Sequence, residues 1–157
     1  MQNPDLVAHI YRSAIGLLAR REHSSYELQQ KLLQRFPAAG EVVQTVWMRL
    51  IEEGYQSDSR YVEAYTRSRL NKGYGPQRLR QELHLRGVDN PLIEAALSQM
   101  NSDGKPLESL IHVWRKKFKE LPQDAREKSR QINFLRYRGF SSSEIERLFH
   151  YLNEHQA

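Results

Sequence analysis

Cysteine is absent from this 157-residue chain, which excludes disulfides and thiolate metal ligands and fits a reducing compartment. A long apolar run is missing too. The longest, near Ala14 to Ala19, falls far short of the ~20 residues that cross a bilayer. The opening Met1-Gln2-Asn3-Pro4-Asp5 has no basic stretch leading into an apolar core, so no secretory signal is expected. Val, Ile and Thr are few and no period-two alternation persists, which argues against a sheet. The expectation is a cytoplasmic, all-α protein with no membrane contact.

What is present is globular in composition, 39% hydrophobic and 27% charged, without the apolar depletion of a disordered chain. Apolar residues recur at helical spacing. Leu107, Leu110, Ile111, Trp114 and Phe118 form one stripe, and Ile145, Leu148, Phe149 and Leu152 form another. Ser24 before Glu27 and Ser141 before Glu144 have the spacing of a capping box, and Gly54, Gly73, Gly87 and Gly139 sit where helices should stop. Counting these signals predicts about nine short helices.

The helices repeat. Leu32, Leu83 and Leu135 lie 51 and 52 residues apart, and so do Arg35, Arg86 and Arg138. Val42, Ile93 and Ile145 keep the same offsets, as do Val46, Leu97 and Phe149. This predicts three tandem three-helix repeats, over residues 1–54, 55–101 and 102–157, joined at Gly54–Ser57 and Met100–Gly104. Units of this size bury too little surface alone, so neighbours should stack into a curved, elongated array. A single irregular bundle is the alternative.

Residues that could carry chemistry favour plain readings. Gly73-Tyr74-Gly75-Pro76 lacks the further glycines, preceding strand and lysine of a phosphate loop, so it reads as a turn between helices, with Pro76 suited to the first turn of the next one. Six scattered histidines offer no metal spacing with a third ligand, although Glu146 and His150 could share a helix face. No nucleophile stands beside a base. No enzyme activity, metal or cofactor is expected. Tyr61 and Tyr65 read as core rather than as base-stacking groups, and Leu85 as an exposed apolar residue.

Charge placement says more than the net +5. Arg60, Arg67, Arg69, Lys72, Arg78, Arg80 and Arg86 stand against only Glu63 and Glu82, and ten further basic residues lie between Lys105 and Arg138. The first set is the candidate partner- or nucleic-acid-binding surface. Arg115, Lys116, Lys119 and Arg136 are candidates for a second. A merely solvated helical surface is the plain alternative. Arg67, Arg69 and Lys72 precede the glycine turn while Arg78 and Arg80 follow it, which brings like charges together. Phosphate or partner carboxylates are expected to relieve that repulsion, so reversing Arg69 and Lys72 to Glu should leave thermal stability unchanged or slightly improved.

Three stretches together resemble the RecX family of bacterial regulators. The first is Arg21-Glu22-His23-Ser24 leading through Glu27-Leu28 to Lys31-Leu32. The second runs from Gly54-Tyr55 and Asp58-Ser59-Arg60-Tyr61 through Lys72-Gly73-Tyr74-Gly75-Pro76 to Arg86-Gly87-Val88. The third is Phe134-Leu135-Arg136-Tyr137-Arg138-Gly139-Phe140 followed by Ile145. One departure is Gln56-Ser57 before Asp58, where the family usually has Leu and an acidic or Asn residue. The resemblance implies three three-helix repeats, binding to the RecA recombinase filament on single-stranded DNA, and inhibition of its ATPase, strand-exchange and co-protease activities. It leaves open whether the protein lies in the filament groove or caps its end. A monomer with weak, nonspecific affinity for single-stranded DNA is expected. The rivals are a helix-turn-helix regulator on duplex DNA, though no single helix gathers a base-reading set of Asn, Gln and Arg, and a scaffold without nucleic-acid contact.

Overall fold

The computed structural model describes residues 2–155. Among them are nine α-helices and no strand: α1 (Pro4–Arg20), α2 (Ser25–Arg35), α3 (Gly40–Glu52), α4 (Asp58–Asn71), α5 (Pro76–Leu85), α6 (Asn90–Ser102), α7 (Lys105–Lys117), α8 (Ala125–Tyr137) and α9 (Ser142–His155). The fold is an all-α tandem repeat.

Local sequence explains where the helices start. Asn3 accepts from the Asp5 amide ahead of Pro4, which has no amide hydrogen to satisfy. Both predicted capping boxes form. Ser24 and Glu27 each bond the other's backbone amide, as do Ser141 and Glu144 at α9. Pro76 opens α5, so Gly73–Gly75 is a turn between two helices. The second joint is shorter than expected, because α6 runs through Ser102 and only Asp103 and Gly104 separate it from α7.

Two compact units emerge from the chain's contacts. One runs through Ala64 and includes Leu83–Leu92; the other is Tyr65–Glu82 with the chain from Ile93 onward. In the first, α1, α2 and α3 close over Ile10, Leu28, Leu32, Val43, Val46 and Leu50, all fully buried. In the second, α7, α8 and α9 close over Leu110, Trp114, Leu135, Phe140, Leu148 and Leu152. The repeat positions Leu32, Leu83 and Leu135 are all 0% exposed, so the period marks equivalent core layers. Each such leucine contributes about 1.5–3 kcal/mol by leaving water.

Three buried polar side chains find partners within the chain. The Trp114 indole donates to Gln131 Oε1 at 2.8 Å, and Gln131 Nε2 donates to the Glu120 carbonyl. The unusual Gln56 is 3% exposed, and its amide donates to the His23 carbonyl at 3.1 Å and to Asp58 Oδ1 at 3.0 Å. Asp58 Oδ1 also accepts from the Ser25 amide at 2.7 Å. A polar side chain thus serves here by satisfying a backbone acceptor that an aliphatic one would leave alone. Tyr61 is core, at 2% exposure, and Leu85 is exposed at 77%.

Candidate partner-binding surface

In the second unit the turn after α4 meets the turn after α8. The Gly75 amide donates to the Arg138 carbonyl at 2.8 Å, and the Gln77 amide to the Gly139 carbonyl at 2.9 Å. This approach requires glycine on both sides. A Cβ on Gly75 would stand 2.5 Å from the Gly139 oxygen, and one on Gly139, whose φ is +102°, would strike Arg78. The Ser109 hydroxyl adds a bond to the Leu70 carbonyl at 2.8 Å.

That junction carries a cluster of arginines around one ring. Arg69, Arg78 and Arg138 place their guanidinium carbons 3.9, 4.5 and 4.8 Å from the centre of the Tyr74 ring. Glu82 lies beneath. It accepts from Arg69 Nε and Nη2 at 3.0 and 2.7 Å, from Arg78 Nε at 3.3 Å, and from the Tyr65 hydroxyl at 2.8 Å. Burial pushes the Glu82 carboxyl up, but the bonds from Arg69 and Tyr65 outweigh it and hold it below the usual range. Arg69 is lifted above its ordinary value because its bond to Glu82 outweighs the effect of burial.

The expected unrelieved repulsion is therefore corrected. Of the five cations flanking the turn, Arg69 and Arg78 share Glu82, and Arg80 pairs with Glu94 at 2.7 Å. The spacing of Arg78 and Glu82 along one helix hid the stronger partner, Arg69, which comes from the helix before. The expectation that reversing Arg69 is harmless falls with it.

The other candidates divide. Arg60 is a clamp in the first unit, with Nη1 and Nη2 on the Gly54 and Tyr55 carbonyls at 2.7 and 2.9 Å and Nε on Glu22 at 2.9 Å. Arg86 is half-buried there, and its carbonyl accepts from the Ser24 hydroxyl at 2.8 Å. Arg67 and Lys72 are exposed. On the second candidate surface, Arg115, Lys116 and Lys119 are exposed, and Arg136 donates to the Ser142 hydroxyl at 2.6 Å.

Sequence reasoning missed Arg138, Tyr74 and Tyr137. Arg138 donates to the Lys72 carbonyl at 3.2 Å and also lies over Phe134. Its repeat equivalence to Arg35 and Arg86 was the available signal. Among the described residues no carboxylate lies within ion-pair distance of Arg138, Lys72 or Arg67. Among the described residues no helix is long and apolar enough to cross a membrane.

Comparison with known proteins agrees with this architecture. Family models for the first, second and third three-helix domains of RecX match residues 11–46, 57–97 and 103–149. The regulatory protein RecX of Pseudomonas syringae pv. tomato is 46% identical over 145 residues, which cover 92% of each chain. That of Pseudomonas fluorescens is 45% identical over the same span and coverage. The crystal structure of RecX from Lactobacillus salivarius matches with a TM-score of 0.79, over 96% of this chain and 99% of that one. At 21% identity that likeness concerns the fold. The chain belongs to the RecX family of regulatory proteins.

Proposed function

We propose that this protein binds the RecA filament on single-stranded DNA and lowers its ATP hydrolysis, strand exchange and co-protease activity. It acts by binding rather than by catalysis, as a cytoplasmic monomer built of three repeats, residues 1–54, 55–101 and 102–157. The observation that carries this reading is the full set of three RecX domains, in order, along one chain.

The mechanism follows from linkage. Successive repeats can touch successive protomers, and tethered weak contacts multiply into strong binding without any one of them being strong. A ligand that prefers one protomer spacing shifts the filament toward it, and turnover that needs the other spacing slows. The exposed cations Arg67, Lys72, Arg115 and Lys116, with Arg138, supply the electrostatic part.

Co-sedimentation with RecA assembled on single-stranded DNA, with naked DNA as the control, tests the reading. The protein should pellet with the filament at salt where naked DNA retains little of it. Equal retention by both, or sequence-selective nanomolar binding to duplex, would contradict it.

A further inference from the structure

Five side chains of the second unit alternate between ring and guanidinium: Phe134, Arg138, Tyr74, Arg78 and Tyr137. Arg138 lies 5.4 Å from the centre of Phe134 and 4.8 Å from that of Tyr74. Arg78 lies 4.5 Å from Tyr74 and 5.5 Å from Tyr137. Phe134 and Tyr74 are partly buried, whereas Tyr137, the last member, is 76% exposed. The members behind it are held in place. Arg78 bonds Glu82 and the Tyr137 carbonyl, and Arg138 bonds the Lys72 carbonyl.

Tyr137 adds nothing to the core, and its ring stands at the end of a series built to alternate charge and aromatic surface. We propose that Tyr137 is a stacking platform for an unpaired nucleobase, with Arg138 and Lys72 receiving the neighbouring phosphate. This deepens the filament reading, and rests on it for the presence of a DNA strand. Carboxylates of a protein partner would use the cations and leave the ring idle. Duplex DNA would offer phosphate but keep its base faces covered. A single strand supplies a flat π-face and an anion one bond series apart, and stacking of this kind tolerates any base.

The test uses the full-length protein with a fluorescent oligothymidylate, and with an abasic oligomer of equal length and charge, across a salt series. Stacking on one aromatic group predicts that Tyr137→Ala weakens oligothymidylate binding roughly five- to 150-fold. It should leave abasic binding and the salt slope unchanged, and Tyr137→Trp should restore affinity. Lys72→Gln should weaken both oligomers and reduce the slope by about 0.7. The tyrosine backbone carbonyl that Arg78 uses survives these changes, so a normal melting temperature is expected. Tyr137→Ala binding both oligomers like the parent, or losing both equally, overturns the assignment. So does polyglutamate bound by the parent as tightly as oligothymidylate, which would turn the face toward protein carboxylates. A parent that pellets with the RecA filament but ignores oligothymidylate overturns the stacking role alone, leaving the filament reading intact. A parent that binds oligothymidylate through Tyr137 but not the filament supports stacking and contradicts that reading.

Discussion

Arg69 spans both carboxylate oxygens of Glu82, with Nε at 3.0 Å from one and Nη2 at 2.7 Å from the other. The pair closes the α4–turn–α5 hairpin, and its side chains are only 20% and 18% exposed. Half-sheltered, bidentate and shared with Tyr65 and Arg78, it should contribute more than an exposed pair does. Arg69→Glu sets two carboxylates against each other and should cost about 1–3 kcal/mol, several degrees of melting temperature. Lys72→Glu, at an exposed position, should change it little. Calorimetry on the two single variants checks this, and equal melting temperatures would remove Glu82 as the anchor.

Acid should weaken the first unit through His23. The ring is buried, at 1% exposure. Lys31 Nζ can only donate, so His23 Nε2 accepts at 3.0 Å and Nδ1–H donates to the Arg21 carbonyl at 3.1 Å. Burial first, and then the charges on Arg21 and Lys31, lower its pKa in spite of the Arg21 carbonyl bond and Glu27. The unfolded chain therefore takes up this proton at higher pH than the folded one. His23's stabilisation is complete above its ordinary value near 6.5 and is lost as pH falls toward the folded value. Glu27 and Glu82, whose carboxyls are lowered, lose theirs only in more acidic solution. Melting temperature should fall between pH 7.5 and 5, and His23→Asn, which keeps a donor toward Arg21, should flatten that slope. An unchanged slope would exclude His23.

The paired turns should not tolerate a methyl group. Gly75→Ala drives a Cβ onto the Gly139 backbone, which cannot swing aside as a side chain can. A loss of about 1–3 kcal/mol is expected. Gly16 lies exposed within α1 with nothing within 4 Å of its missing Cβ. There Gly16→Ala should stabilise by about 0.5–1 kcal/mol through helix propensity and a less free unfolded chain. Thermal melts of the two variants should shift in opposite directions.

Local signals in the sequence were enough for the helices. Ser24 and Glu27 speak to each other across three residues, and Leu32, Leu83 and Leu135 state a period that any reader can count. The Tyr74 cluster was not legible, because Arg69 meets Glu82 across a turn and Arg138 meets Tyr74 across 64 positions of the chain. Counting charges along the chain registered Arg69 and Arg78 as repelling neighbours. Only the folded turn shows that one carboxylate serves both. Gln56 stood out as a departure from the family pattern, yet its purpose required the His23 carbonyl to be placed beside it.

Restraint of RecA through binding to its filament is the proposed role of this protein. The most direct measurement is ATP turnover by RecA on single-stranded DNA while the protein is titrated in. Turnover should fall at substoichiometric amounts if, as proposed, one bound chain constrains several protomers, and the protein alone should hydrolyse no ATP. Turnover that stays at its starting rate while the protein demonstrably pellets with the filament would contradict the account.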